Sequence, residues 1–261
     1  MSAATAVSPS VSEVVQPRDG DRGDRGESQS GPSTTANADL QALIRAAQER
    51  YDSIPNFTAK FLKREVVRGK LMATEEADYA FRKQPLSIYL YVTSPAGQGR
   101  EVLYVAGRDR YRMHLVTGKG DHFFRGVKTV MAIDDPRAKE KSRYCITEAQ
   151  FGRTLSVLAQ SLANGTATLK PNQYRPEFLG SFNAVEMQIA PGHDPQLPRG
   201  GIRTVYLGAT PGTAEYLLPV LVQTWEPDGR EVEYYRFTEL KVPGGLTDAD
   251  FDPARLGKRR G

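Results

Sequence analysis

The 261-residue sequence predicts a mainly β fold: an incomplete (half) antiparallel β-barrel of about ten strands, closed by two amphipathic helices. Three observations support this prediction. Most of the chain after Pro55 alternates apolar and polar side chains with the period of two that is typical of β-strands. Glycine and proline interrupt the alternation at short intervals, as the turns of an antiparallel meander require. Two segments have helical spacing, and the concave face of a curled sheet is the best place to bury their apolar stripes.

The first predicted helix follows a polar N-terminal segment. Residues 1–37 are predicted to be a disordered tail, since a stretch so rich in Ser, Gly, Pro, Asp and Arg cannot bury the apolar surface that ordering requires. Residues 38–261 are predicted to form a single domain. Asn37 is a suitable N-cap for the helix, because apolar side chains recur at helical spacing from Leu40 to Tyr51. Pro55 ends that segment.

The strands are predicted from alternation bounded by turn residues. The first begins at Phe57, and the clearest runs from Leu86 to Val92. Further strands are predicted at residues 102–105, 111–115, 184–189, 202–207, 218–225 and 232–240, with weaker candidates at 79–82 and 123–131. Pro227 to Gly229 should form the tight turn of a hairpin between the last two strands.

One helical segment interrupts the strands. Thr147 is a suitable cap for it, apolar side chains recur at helical spacing from Phe151 to Leu162, and Gly165 ends it. We expect this helix and the first one to lie inside the curved sheet or across its mouth.

Composition and charge exclude several classes of protein. With 35 Lys and Arg against 31 Asp and Glu, the net charge of +4 is too small to indicate nucleic-acid binding. The single cysteine, Cys145, excludes an intrachain disulfide and a cysteine zinc site. The longest apolar run, from Leu217 to Val222, is far shorter than the roughly 20 residues of a membrane span. No transmembrane segment is therefore predicted. The basic end from Lys258 to Arg260 could still contact anionic lipid at a membrane surface. The protein is expected to be a monomer.

No pattern of reactive side chains predicts catalysis, a metal site or a cofactor. The three histidines, His114, His122 and His193, lack metal-ligand spacing; we expect His114 to be a half-buried structural residue and His193 a solvated loop residue. Asp248 to Asp252 resemble the start of a calcium loop, but Pro253 replaces the glycine that such a loop needs. A helical turn capped by Thr247 is predicted there instead, and the protein is not expected to be an enzyme. A hydrolase with a dispersed catalytic triad is the weakest alternative.

The remaining candidates for function are aromatic and aliphatic strand residues. Alternation assigns them to faces, but it leaves open whether the inward face surrounds a packed core or an apolar cavity. A cavity could hold a lipid chain, since moving about 14 methylenes out of water is worth on the order of 11 kcal/mol. The candidate cavity residues are Phe57, Phe61, Ile88, Leu90, Met187, Val220 and Val222.

Five stretches carry a resemblance to a known family. They are FTAKFLKRE at 57–65, FRKQPLSIYL at 81–90, GREVLYVAG at 99–107, ITEAQFGRTL at 146–155 and ELKVPGGLTDADFDP at 239–253. The predicted helix from Leu40 to Tyr51 and the short GKL at 69–71 belong to the same resemblance. In this order they resemble a bacterial envelope family, the domain-of-unknown-function family 1571. That family is similar to the periplasmic lipoprotein carriers and outer-membrane lipoprotein-sorting proteins (LolA-like and LppX-like), whose fold is an incomplete antiparallel β-barrel closed by helices over an apolar cavity. The family offers no catalytic residues to transfer.

The resemblance also implies a function. It predicts non-enzymatic binding or transport of a lipid, a lipoprotein acyl chain or another hydrophobic ligand in the periplasm or cell envelope. Residues 1–37 contain no apolar stretch of the kind found in secretory signals, so an export signal is expected to be missing from this chain. The alternative is an envelope stress-sensing or scaffold module that binds a protein partner while its own side chains fill the cavity.

Overall fold

Twelve antiparallel strands form one sheet in the computed structural model, which describes residues 33–121 and 125–258. In chain order the strands are β1 (Asn56–Val67), β2 (Lys70–Leu71), β3 (Glu75–Arg82), β4 (Ser87–Val92), β5 (Glu101–Val105), β6 (Arg112–Val116), β7 (Lys128–Ala132), β8 (Ala167–Arg175), β9 (Gly180–Ile189), β10 (Gly201–Gly208), β11 (Pro219–Trp225) and β12 (Glu231–Lys241). The helices are α1 (Ser33–Asp52), α2 (Pro136–Lys139) and α3 (Phe151–Ala163). Short 3₁₀ turns occupy Ile146–Glu148, Asp248–Phe251 and Pro253–Arg255.

The sheet consists of two antiparallel meanders, the first made of β1 and β3–β7 and the second of β8–β12, which join at its centre. The strand order is β7-β6-β5-β4-β3-β1-β12-β11-β10-β9-β8, and the short β2 pairs only with β1. The first long strand therefore pairs with the last one, with Phe61 opposite Phe237. Among the described strands β7 and β8 are the two edges, so the sheet remains open. The predicted fold class, a half-barrel of antiparallel strands with helices, is confirmed.

The helices cover one end of one face of the sheet. On α1 the buried side chains are Leu40, Ile44, Ala47 and Tyr51, and on α3 they are Phe151, Leu155 and Leu158. Phe151 stacks on Phe57 of β1, with ring centroids 4.7 Å apart and planes 6° apart. A Cβ at Gly152 would lie 2.8 Å from the Tyr51 ring, so the absence of a side chain there allows α3 to approach α1.

The C-terminal segment covers part of the opposite face. Phe251 and Leu256 are buried there against Tyr89 and Leu103. Glu101 attaches the end of this segment, because its carboxylate accepts hydrogen bonds from the Gly257 N–H at 2.7 Å and the Tyr89 hydroxyl at 2.7 Å. The predicted turn capped by Thr247 is confirmed. Thr247 is the N-cap of the 3₁₀ turn Asp248–Phe251, and its hydroxyl and N–H both donate to the Asp250 carboxylate.

Both predicted helices are present, but their starts were wrong. The first begins at Ser33, four residues before Asn37, since a helix nucleated by packing can extend by adding backbone hydrogen bonds. The second begins at Phe151 with Gln150 as its N-cap. Thr147 lies in the preceding 3₁₀ turn, and Ala149, with ψ of 56°, separates that turn from the helix.

Two strands were missed, so the sheet has twelve strands rather than about ten. The first, β2, has only two residues. The other, β8, is an edge strand that is mostly exposed on both faces and contains Pro171, so its sequence shows no apolar alternation. The hairpin turn after Glu226 is confirmed, since the Gly229 N–H donates to the Glu226 carbonyl at 2.9 Å.

Some predictions fall outside the described part of the chain. Most of the predicted tail, residues 1–32, lies there, as do His122, the start of the weak candidate at 123–131, and Arg259 and Arg260. None of the described helices is both long enough and apolar enough to cross a membrane.

Candidate ligand-binding cavity

A cavity of about 1730 Å³ lies between the helix-facing side of the sheet and α3. Residues 133–150, which connect β7 to α3 and are called the strap below, form another wall. The volume exceeds the roughly 300–1,000 Å³ of most small-molecule pockets.

The helix-facing side of the sheet changes from apolar to charged along the strands. On β1 the alternation of strand side chains places Phe57, Phe61, Lys63 and Glu65 on this face. Phe57 lies under the helices, Phe61 lines the cavity, and Lys63 and Glu65 lie at its far end. Strand pairing continues this change from apolar to charged on the neighbouring strands. Phe61 is opposite Ala77 and Phe237, whereas Glu65 is opposite Glu233.

The apolar part of the cavity is built from both meanders. Its walls come from β1, β3, β4, β5, β6, β7, β9, β10, β11 and β12, and from α3 through Val157. The strands contribute Phe61, Ala77, Leu90, Val92, Val102, Met113, Leu115, Met131, Met187, Ile189, Val205, Val222 and Phe237. The arrangement combines a wide apolar surface with a charged end, which suits a ligand that has an apolar chain and a polar group.

The seven sequence-predicted residues divide between this cavity and the packed core. Four of them line the cavity: Phe61, Leu90, Met187 and Val222. The other three, Phe57, Ile88 and Val220, are completely buried in the main hydrophobic core and do not reach the cavity wall. For Phe57 the helix α3 is the reason, since its ring stacks between those of Phe151 and Phe81.

Glu233 is the centre of a buried polar cluster at the charged end. Its Oε1 accepts hydrogen bonds from Arg143 Nε at 2.9 Å and from the Tyr144 hydroxyl. Its Oε2 accepts from Thr224 Oγ1 at 2.5 Å and from Arg203 Nη2 at 3.3 Å. Burial alone would raise the pKa of Glu233, but Arg203 and Arg143 hold that pKa below its ordinary value.

The tyrosines of this cluster are hydrogen-bond donors to carboxylates. Tyr144 donates to Glu233, and Tyr235 donates to Glu65. Burial, followed by the charge of Glu233, raises the pKa of both hydroxyls well above the ordinary value. Both tyrosines therefore remain protonated, and the polar atoms of the cluster satisfy one another.

A second group of ions lies beside the first. Arg100 Nη1 is 2.5 Å from Glu75 and its Nε is 2.6 Å from Asp121. Lys141 of the strap also donates to Asp121, at 3.1 Å. Burial opposes ionisation of Asp121, but Arg100 and the Gly118 N–H lower its pKa to about 2. Lys63 connects the two groups, at 3.6 Å from Glu75 and 3.5 Å from Glu65.

These ions attach the strap across the cavity. Arg143 reaches through the cluster to donate to the Val66 carbonyl at 2.8 Å and to the Gln196 carbonyl. Further along the strap, Ile146 packs against the apolar cluster of Tyr104, Met113 and Met131. The strap is therefore held by charges at one point and by apolar contacts at another.

The charged end was not predicted, although the sequence contains a signal for it. Glu65 and Glu233 occupy positions in strands where alternation places the side chain on the inward face. A charged residue at such a position is unusual unless it is paired. The cationic partners of Glu233, Arg143 and Arg203, are distant in sequence, so this pairing could not be predicted from spacing.

The predicted histidine environments are confirmed where they can be seen. His114 is half-buried on β6 with its Nε2 2.7 Å from Asp109, and His193 is exposed in the loop before β10. Within residues 33–121 and 125–258 there is no group of three or more His, Cys, Asp or Glu side chains that could hold a metal ion.

Comparisons with solved structures find chains of low identity. The lipoprotein LppX from Mycobacterium tuberculosis is 15% identical, with 80% of this chain and 99% of that chain covered and a TM-score of 0.47. A putative outer membrane lipoprotein-sorting protein domain from Vibrio parahaemolyticus is 10% identical, with 84% and 99% covered and a TM-score of 0.40. The Pseudomonas aeruginosa MucA/MucB complex contains a chain that is 12% identical, with 83% and 60% covered and a TM-score of 0.42.

A family model matches the part of the chain that contains the first meander, the strap, α3 and the start of the second meander. No curated protein matches the chain. The resemblance noted in the sequence is confirmed by the family model: residues 54–178 match the family described as protein of unknown function, DUF1571.

Proposed function

We propose that this protein binds an amphiphile, such as a lipid or a lipoprotein acyl chain, and that it acts as a non-enzymatic carrier in the cell envelope. The observation that carries the proposal is the cavity of about 1730 Å³ with apolar strand side chains on its walls. A ligand chain placed there would gain about 0.8 kcal/mol for each methylene removed from water. Such binding depends on apolar area and needs no catalytic group.

Four of the sequence-predicted residues are proposed to contact the chain of the ligand. Phe61, Leu90 and Val222 lie on strands near the middle of the sheet, and Met187 lies towards the β8 edge. Because they come from both meanders, a bound chain would cross the junction between β1 and β12. The envelope location is part of the proposal and rests on the family resemblance.

The test is native mass spectrometry of the protein purified from its own host. A bound mass in the range of a lipid, lost on extraction with organic solvent, is the expected result. The extracted protein should then take up an uncharged, environment-sensitive dye, and the extracted lipid should displace it. A ligand-free mass combined with no dye uptake would overturn the proposal.

Cys145 offers an independent readout on the same protein. It is the single cysteine of the chain, it lines the cavity, and the residue is only partly buried. Burial raises the pKa of this thiol, so labelling with a maleimide should be slow. Ligand in the cavity should slow the labelling further, because it covers the sulfur.

A second candidate function is binding of a protein partner, and the edge strand β7 supports it. Among the described residues, Val127 and Val130 are exposed at this edge, and Tyr111 is exposed next to it. Within residues 33–121 and 125–258 no strand pairs with the outer side of β7, so an extended segment could add there. Replacing Val130 by Lys should weaken cross-linking to such a partner in cells without changing dye uptake.

A further inference from the structure

The charged side chains around the cavity determine which kind of polar group a bound ligand can carry. Six basic side chains among the described residues line it: Lys63, Arg100, Arg137, Lys141, Arg153 and Arg203. Seven carboxylates line the same space, so the wall carries no excess of positive charge.

The basic side chains that reach the interior already bind carboxylates of the protein. Arg100 contacts Glu75 and Asp121 at 2.5 and 2.6 Å. Arg203 Nη2 lies 3.1 Å from Asp194 and 3.3 Å from Glu233. An anionic group entering the cavity would have to break one of these ion pairs or lose its water without gaining a cation. Both alternatives oppose binding.

The basic side chains nearer to the surface are also paired. Lys141 lies 3.1 Å from Asp121, and Arg137 lies 2.8 Å from Asp135, a neighbour in the same turn. Arg153 has the longest contact, 4.0 Å to Glu148, and both Arg153 and Arg137 are more than half exposed, so water already hydrates them.

In contrast to the basic side chains, some uncharged polar side chains at the cavity are available to bind a ligand. The side-chain amides of Gln160 on α3 and of Asn164, directly after that helix, line the cavity and are exposed. Within the described part of the chain, these amides form no hydrogen bond with another residue, so each can donate to and accept from a ligand.

We infer that the cavity selects an amphiphile whose polar part is uncharged, such as a hydroxyl, ester or amide group. This inference rests on the proposed function and adds the class of ligand to it. The apolar chains occupy the strand-lined part, and the uncharged group hydrogen-bonds with the amides of Gln160 and Asn164. Ionic groups are excluded because the cations of the wall are neutralised by the protein itself.

The test uses two fluorescent lipids that differ only in the polar group. Diacylglycerol and phosphatidic acid with identical labelled chains are offered to the protein from phosphatidylcholine vesicles, and the affinity for each is measured by transfer. Diacylglycerol should bind at least tenfold more tightly. Equal or tighter binding of phosphatidic acid would overturn the inference and leave the proposed function intact. Failure of both lipids to bind would overturn the proposed function, and with it this inference.

Variants that release a cation should change the preference in a predictable direction. Asp121→Asn removes one carboxylate from Arg100 and the carboxylate partner of Lys141. The ratio of phosphatidic acid to diacylglycerol affinity should rise about tenfold, the effect of one added charge-assisted hydrogen bond. Glu75→Gln, which removes the other partner of Arg100, should act in the same direction and replaces Asp121→Asn if that variant does not fold.

The matched control changes the net charge by the same amount on the other face of the sheet. Asp78 alternates with Ala77 on β3 and pairs with Lys60, away from the cavity. Asp78→Asn should leave the affinity ratio unchanged. If it raises the ratio as much as Asp121→Asn does, the preference is set by net charge and not by the cavity wall, and the inference is wrong.

Discussion

Arg143 of the strap and Glu233 at the centre of the sheet form an ion pair with Nε 2.9 Å from Oε1. The exposed fractions of their side chains are 6% and 1%, so water screens the pair very little. This contact attaches the strap to β12 at the charged end of the cavity. Breaking it should therefore affect the stability of the fold as well as the shape of the cavity.

Replacing Arg143 by Ala should lower the free energy of unfolding by about 3–5 kcal/mol, because Glu233 then remains buried with one cation fewer. Urea denaturation of the purified variant measures this. Arg137→Ala is the control, since Arg137 pairs with Asp135 in an exposed part of the strap and its loss should lower the free energy of unfolding far less. Equal effects of the two variants would contradict the role assigned to Arg143.

The acid dependence of stability should include a contribution from Asp121. Its pKa of about 2 in the folded protein is lower than the ordinary value of 3.8, because Arg100 and the Gly118 N–H favour the charged form. A carboxyl whose pKa is lowered by folding stabilises the folded state at pH values above its ordinary pKa. This stabilisation is lost as the pH falls from about 4 towards 2.

Denaturant unfolding at a series of pH values tests this contribution. The difference in unfolding free energy between the unmodified protein and Asp121→Asn should be constant above pH 5 and should shrink below pH 4. A difference that stays the same down to pH 2 would show that the carboxylate is not stabilised by these contacts.

Arginine substitutions should distinguish the cavity wall from the packed core. Leu90 lines the cavity, whereas Ile88, two residues earlier on the same face of β4, is completely buried. Leu90→Arg should abolish dye uptake with a loss of stability below about 2 kcal/mol, since the new charge can reach water in the cavity. Ile88→Arg should prevent folding or lower stability by more than about 4 kcal/mol.

Leu71→Arg is the matched control for these two variants. Leu71 is 62% exposed on β2, and it does not line the cavity. Dye uptake and circular dichroism of this variant should equal those of the unmodified protein. Unfolding of Leu90→Arg, to the same extent as Ile88→Arg, would mean that the cavity is closed in solution.

Gly152→Ala should destabilise the protein by about 1–3 kcal/mol, although alanine is the better helix former. The reason is the 2.8 Å contact that the new Cβ would make with the ring of Tyr51. Thermal unfolding measures the effect. In a Tyr51→Ala background the same substitution should be neutral or stabilising, and an unchanged effect there would contradict the steric explanation.

The strands could be predicted wherever one face is buried and the other is solvated. The alternation from Leu86 to Val92 identifies β4, and the Pro227 turn identifies the last hairpin. On β8 both faces are mostly exposed, so apolar alternation is absent and the strand exists because β9 supplies its hydrogen-bond partners. The sequence predicts Thr147 as a cap because it precedes an apolar periodic segment, but Ala149 leaves the helical conformation before α3 begins.

The sequence by itself determined the class of fold, the two amphipathic helices and the face to which each strand residue belongs, because these follow from local periodicity. Only the tertiary structure decided which inward residues border the cavity. Phe57 and Phe61 share one face of one strand, yet Phe151 covers the first and leaves the second at the cavity wall. The pairing of Glu233 with the distant cations Arg143 and Arg203 was decided in the same way, since burial and ionic contacts depend on elements that are far apart along the chain.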